Sequence, residues 1–192
     1  IQQHPLGQSG MLPDGCAFRY IFMDGAVTAG KLLQCAAVDA AHDNTLATAA
    51  AAVQATTISV TLGAVAAAAD LYKDGYLYVD DGPGAGQKFK IGPHAAVASG
   101  GVFAVPIQDD GGVRTALTSA SKCGLAKNEY KDVIVAPTTF TGHIVGATTR
   151  DMSDNYYGWA QRTGIANLLA KGTIVLGSAV MRGDATTTDI AG

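Results

Sequence analysis

Apolar positions along this chain recur mostly with a period of two. In residues 71–91, Leu77 and Val79 alternate with Tyr76, Tyr78 and Asp80, and Phe89 and Ile91 alternate with Lys88 and Lys90. Successive side chains of a strand point to opposite faces, so the spacing predicts two half-buried strands. The Gly/Pro/Asp cluster Asp80-Asp81-Gly82-Pro83-Gly84-Ala85-Gly86 joins them, which predicts a β-hairpin with a long tip. Residues 57–62 alternate in the same way, with Ile58, Val60 and Leu62 set against Ser59 and Thr61. Further strands are expected at residues 17–23, 27–34, 101–107, 113–117, 131–136, 143–147, 156–162 and 173–181. Asp24-Gly25 is a strong turn dipeptide, so 27–34 is expected to return as the partner of 17–23, bending at Gly30.

Three stretches break the pattern. Residues 46–55 are rich in Ala, with Asn44 or Thr45 available as a cap, and read as a short helix or loop; their Thr-rich flanks equally suit an extended edge. Residues 164–172 have room for one helical turn. Residues 1–15 hold Pro5, Gly7, Gly10, Pro13 and Gly15 with little periodicity, and read as an extended N-terminal arm or loop, either a loose terminus or an arm that docks on a neighbouring subunit. The expected organisation is therefore an arm at 1–15, a β domain at 16–181 with sub-parts 16–70 and 71–181, and a loose tail at 182–192. Short strands with turn residues between them make the fold mainly β, an antiparallel β-sandwich or barrel.

Composition narrows the functions. Apolar residues make up 48% of the 192, enough for a core. Charged residues are 15%, against about 25% in typical soluble domains. A chain so poor in charge is expected to cover much of its surface with copies of itself or a partner. The formal net charge is −3 and there is no basic block, which argues against a nucleic-acid surface. No apolar run reaches the ~20 residues of a membrane helix. The start, Ile1-Gln2-Gln3-His4-Pro5, has neither the basic region nor the apolar stretch of a secretory leader. Cys16, Cys35 and Cys123 are an odd set without C-x-x-C spacing. They read as buried thiols of a protein made in a reducing cytoplasm, not as a disulfide framework or zinc site.

Candidate chemistry is sparse. The glycines at 82–86 lack the following helix of a dinucleotide fingerprint and the Gly-Lys-Ser/Thr of a phosphate loop. Asp80-Asp81 and Asp109-Asp110 abut glycines, where Asp serves turns, and adjacent strand residues point apart. A weak calcium site at the Asp80/Asp81 tip is the one metal reading these pairs leave open. His4, His42, His94 and His143 have no metal-ligand spacing, and no G-x-S-x-G elbow exists. No catalytic, cofactor or metal residue is assigned. Tyr156, Tyr157 and Trp159, near Arg162, form an aromatic cluster, with Tyr157 and Trp159 on one strand face. Such rings can stack a sugar or a base, but core packing or a subunit interface is the commoner use.

The stretch 71–91, with its D-G-Y-L-Y-V-D-D-G-x-G-x-G-Q-x-F-x-I pattern, resembles virion structural proteins of tailed bacteriophages. The blocks at 133–139, 142–146 and 156–164 are similar to them as well. The closing G-x-x-x-x-G-x-x-V at 172–180 resembles phage capsid cement proteins. The resemblance covers roughly residues 71–181 and rests mostly on glycine and turn positions; residues 1–70 match no pattern of that kind. It implies a non-enzymatic β-protein on the capsid exterior, often a homotrimer, with the major capsid protein as partner. The expected role is head decoration, in which the arm clamps a neighbour with Leu12 and Phe18 at its root. Contacts are then expected at Leu12, Phe18, Tyr156, Tyr157, Trp159 and Arg162. The alternative is a tail, fibre or vertex protein whose aromatic cluster binds host glycans.

Overall fold

The computed structural model describes residues 1–137, 139, 141–171, 177, 181–182 and 190–191. Among them the regular structure is all strand and no residue is helical. The strands are β1 (Ser9–Met11), β2 (Ala17–Phe22), β3 (Leu32–Gln34), β4 (Leu46–Ala47), β5 (Thr57–Thr61), β6 (Tyr76–Asp81), β7 (Lys88–Lys90) and β8 (Val102–Pro106). They continue with β9 (Lys122–Ala126), β10 (Ile134–Val135), β11 (Ile144–Thr148), β12 (Tyr157–Thr163), β13 (Ala170–Lys171), β14 (Met181–Arg182) and β15 (Ile190–Ala191). The fold is mainly β, with several antiparallel sheets and, among the described residues, no closed barrel.

The chain forms two units, one of Ile1–Ala37 with Glu129–Gly192 and a second of Val38–Asn128. The boundary expected near residue 70 is thus replaced by an insertion: the chain leaves unit 1 after Ala37 and returns at Glu129. Long-range pairing explains this, because β2 finds its partner in β12 and not in the next segment. The strand expected at 173–181 and the tail after Arg182 lie mostly outside the described residues.

Unit 1 contains a six-stranded sheet of order β1-β2-β12-β11-β3-β10. Its inner face buries Ile21, Leu33, Val145 and Ala160, packed with Met23, Val133 and Met152. Residues 1–15, expected as an extended arm, are tied into this unit. Strand β1 pairs with β2, Gly7 N–H donates to the Tyr20 carbonyl at 2.8 Å, and Leu6 packs on the core. The expected hairpin between 17–23 and 27–34 is also corrected, since β3 pairs with β10 and β11. Gly30 does bend the chain, at φ 81°.

In unit 2 the four-stranded sheet β4-β9-β6-β7 and the pair β5-β8 enclose one core. The alternations at 57–62 and 71–91 fall as the pattern requires: Ile58, Val60, Leu77, Val79, Phe89 and Ile91 are all buried. The β6–β7 hairpin registers Tyr76 with Lys90 and Tyr78 with Lys88. Its tip turns on Gly82, Gly84 and Gly86, whose φ values of 76°, 84° and 88° suit glycine. Behind the tip, the Gln87 side chain replaces a strand partner. Its Oε1 accepts from Arg114 and Thr115 N–H, and its amide nitrogen donates to the Thr115 and Gly84 carbonyls. This is why 113–117, expected as a strand, is irregular: a side chain satisfies its backbone. Strand β9, of sequence Lys-Cys-Gly-Leu-Ala, carried no alternation that would have announced it.

The Ala-rich run 46–55 is not a helix. It is β4 followed by a bridge in which Ala51 and Leu117 exchange both backbone hydrogen bonds, at 3.0 and 2.8 Å. Cross-chain pairing overrides the modest helix preference of Ala. The same reciprocal bridge joins Val27 with Met152 and Ala67 with Val97. The three pairs are nested in sequence, 67/97 inside 51/117 inside 27/152. The third residue after the bridge has positive φ in five of the six arms: Gly30, Gln54, Asp70, Gly100 and Asn155. Within each pair, the segment before one bridge bonds the segment after the other, as β2 bonds β12 and β4 bonds β9. This paired turn is an internal structural repeat.

Candidate functional site: an aromatic ledge on unit 1

The outer face of the β2–β12 pairing is built of rings. Trp159 stands opposite Tyr20, and Tyr157 opposite Phe22. Period two puts all four on the side away from Ile21 and Ala160. Tyr20 and Tyr157 stack with centroids 5.7 Å apart, Tyr157 meets Phe22 at 4.7 Å, and Tyr20 meets Trp159 edge-on at 5.2 Å. The first residues add to this layer. His4 contacts Tyr20 at 5.1 Å and Trp159 at 5.5 Å, and Gln3 N–H donates to the Tyr20 hydroxyl at 3.2 Å. Gly10 on β1 leaves room for the indole, since a Cβ there would stand 3.1 Å from its ring. Tyr20 is buried beneath its neighbours, while Phe22, Tyr157 and Trp159 stay half-buried. Burial pushes the Tyr157 phenol up, helped by Tyr20 and Asp132, so it acts as a neutral donor.

Beside the ledge lies a cleft of about 590 Å³. Aromatic residues Tyr20, Tyr156, Tyr157 and Trp159 line it, with Gln3, Thr149, Arg150 and Asn155 among its polar residues. Its size falls within the roughly 300–1,000 Å³ of small-ligand sites. Aromatic faces with amide and guanidinium groups at the rim suit a ring that is apolar on its faces and hydroxylated at its edge.

The other expected contact residues are spread out. Phe18, one residue pair further along β2, lies opposite Gly10 and Gln161. Leu12 is exposed in the β1–β2 turn, where its N–H donates to the Cys16 carbonyl at 2.9 Å. Tyr156 is exposed at the cleft, preceding β12. Arg162 points to another partner, donating to the Tyr130 hydroxyl at 3.3 Å. The sequence reading did not anticipate Tyr20, Phe22, His4 or the rim residues. The alternation Phe18, Tyr20, Phe22 was a visible signal for two of them; Thr149, Arg150 and Asn155 sit in a loop with no pattern.

Three of the four paired aspartates accept backbone hydrogen bonds. Asp81 accepts from Gly82 N–H, Asp80 from Thr45 N–H, and Asp109 from Lys90 N–H. In unit 2, His42 is fully buried, its Nε2 donating to the Val65 carbonyl and its Nδ1 accepting from the Tyr72 hydroxyl at 2.6 Å. His94 Nε2 accepts the Tyr72 N–H at 3.0 Å. Among the described residues no three His, Cys, Asp or Glu side chains converge on one metal position. No helix among them is long and apolar enough to cross a membrane. No family model matches this chain, and neither a curated protein nor a solved structure does.

Proposed function

We propose that this chain is a virion structural protein of the head-decoration type, docking on the outer capsid surface through the aromatic ledge of unit 1. The observation that carries this reading is the ledge itself. Proteins rarely leave neighbouring aromatic rings half-exposed on a sheet whose other face already holds a core, and interface cores are enriched in Tyr, Trp and Phe. The low charge of the chain fits the same picture. So does the 71–91 stretch that resembles phage proteins: its glycines shape a hairpin tip and its Gln87 splints a loop, which are scaffold duties. In a decoration role each copy adds a modest contact, and many copies sum by avidity. The test is the copy number of this chain per major capsid subunit in purified particles, by quantitative mass spectrometry. A ratio set by the capsid lattice supports decoration; a ratio far below it sinks that reading.

The cleft favours a second reading, a tail, fibre or vertex protein binding host glycans at Tyr156, Tyr157 and Trp159. Quenching or protection of Trp159 fluorescence by host polysaccharide, lost on Arg150→Ala, supports it. No response to any host polysaccharide preparation removes it.

A further inference from the structure

A second constellation in unit 1 joins residues that are far apart in sequence and carry no motif. Cys35 directly follows β3, and its N–H donates to the His143 carbonyl at 3.0 Å. That backbone bond sets the two side chains together, with Cys35 Sγ 3.3 Å from His143 Nδ1. On the far side of the imidazole, Nε2 lies 2.7 Å from Glu129 Oε2. A carboxylate accepts, so the imidazole carries its proton on Nε2 and turns its Nδ1 lone pair to the thiol. Glu129 is held in turn by a hydrogen bond from Tyr130, whose hydroxyl also receives Arg162. The three groups thus stand in line as nucleophile, base and orienter, with His143 within hydrogen-bond reach of both of the others.

The base and its orienting carboxylate are open to solvent, and the thiol is the buried member of the three. A Cβ at Gly142 would lie 2.7 Å from Sγ and 2.6 Å from the Cys35 carbonyl oxygen, so only glycine lets the backbone at 142 pass this close to the sulfur. His143 and Glu129 are 54% and 43% exposed, and Cys35 keeps 9% of its surface. Burial pushes the Cys35 thiol up. The sulfur therefore rests protonated and needs a neighbouring base to act near neutral pH.

We propose that Cys35 is a nucleophile that accepts the acyl group of a small activated ester, with His143 as its general base and Glu129 as the residue that positions His143. Sγ attacks the carbonyl carbon as its proton passes to Nδ1. The tetrahedral adduct then collapses, the bond to the leaving oxygen breaks, and that oxygen takes the proton back from His143. The ester and thiol become a thioester and an alcohol, with no change of oxidation state. This site stands apart from the aromatic ledge and does not depend on the role proposed for it.

The test uses the full chain and p-nitrophenyl acetate at pH 7, with peptide mapping by mass spectrometry. The expected result is acetylation of Cys35 ahead of the more exposed Cys16, with matching release of p-nitrophenol. His143→Ala is expected to slow this about 100-fold, the usual worth of a general base. Added imidazole should restore part of the rate, which a merely structural histidine would not allow. Glu129→Gln is expected to slow it about tenfold and to shift the rate–pH profile. First labelling at Cys16, or a His143→Ala rate equal to the parent's, overturns the proposal. If His143→Ala does not fold, His143→Gln replaces it and the same outcomes decide.

Discussion

The two units use aromatic residues in opposite ways. In unit 2, Tyr72, Phe89 and Phe103 each keep 1% or less of their surface, and they pack among Ile, Val and Leu from both of its sheets. In unit 1 the buried cluster is largely aliphatic, built on Ile21, Leu33, Val133 and Val145, and most of the rings lie outside it on the β2–β12 face. A fully buried ring contributes to folding through the area it removes from water and the contacts it fills. A ring left half-exposed has unspent surface, which a partner can still cover. Unit 2 therefore reads as scaffold and unit 1 as the working surface, although both share the paired-turn device.

The sharpest way to break that comparison is to empty a ring from unit 2. Phe103 is buried against Tyr72 and His94, with its ring 4.6 Å from that of His94. Phe103→Ala is expected to cost unit 2 about 3–5 kcal/mol. The only Trp of the chain, Trp159, lies in unit 1, so its fluorescence reports one unit while circular dichroism reports both. Chemical denaturation should move the dichroism transition and leave the Trp159 transition in place. Equal shifts of both signals would show that the units unfold together.

Gln87 comes next. Its side chain serves two N–H groups and two carbonyls, and it is almost fully buried. Gln87→Ala takes this partner from the Arg114 and Thr115 N–H groups and the Thr115 carbonyl, while the Gly84 carbonyl keeps the backbone N–H of residue 87, and is expected to cost about 2–3 kcal/mol. Among the described residues Gln161 in unit 1 donates to two carbonyls, those of Thr163 and Ile165, so Gln161→Ala should cost less. A larger loss at Gln161 in the same unfolding assay would reverse the ranking.

These two glutamines also mark what sequence could and could not disclose. The strands that were legible are those whose alternation is set by burial on one face, such as Ile58-x-Val60 and Leu77-x-Val79. At 46–55 the sequence left helix, loop and extended edge open, and at 113–117 it pointed to a strand, because the backbone partners are distant: Leu117 for Ala51, and a Gln side chain for Arg114 and Thr115. The paired turns left only a faint trace, one apolar residue and, three positions on, a Gly, Asn, Asp or Gln. Half of the ledge was readable, since Tyr157 and Trp159 share a strand face. Its other half required knowing that β2 pairs with β12, and no local signal records a partner well over a hundred residues away. The Cys35–His143–Glu129 line depends on convergence of the same kind.

A function-directed contrast follows from the ledge. Trp159→Ala removes a half-buried ring and is expected to cost unit 1 only about 1–2 kcal/mol of stability. If the ledge is a docking face, its central aromatic is a hot spot worth about 2 kcal/mol of binding, a loss of about thirtyfold in affinity for capsids. Tyr76→Ala, an exposed ring on unit 2 beneath Lys88, should leave capsid affinity unchanged. Equal losses for the two variants, in binding to stripped capsids, would remove the distinction between scaffold and working surface.

The smallest effect concerns acid, and it again separates the units. Burial alone would raise the Glu129 carboxyl, but hydrogen bonds from Tyr130 and His143 outweigh it and hold the group below its ordinary value of 4.5. A carboxyl depressed in the folded state adds stability that is present above the unfolded value and lost as pH falls through the lower folded one. Unit 1 should therefore weaken below about pH 4.5 in part through Glu129. Its side chain is 43% exposed, so solvent screening keeps the contribution small. Glu129→Gln removes the titration, and the Trp159 unfolding midpoint of that variant should fall less between pH 5 and pH 3 than the parent's. An unchanged slope would mean that the Tyr130 and His143 contacts do not favour the carboxylate, and the orienting role given to Glu129 beside His143 would lose its electrostatic basis.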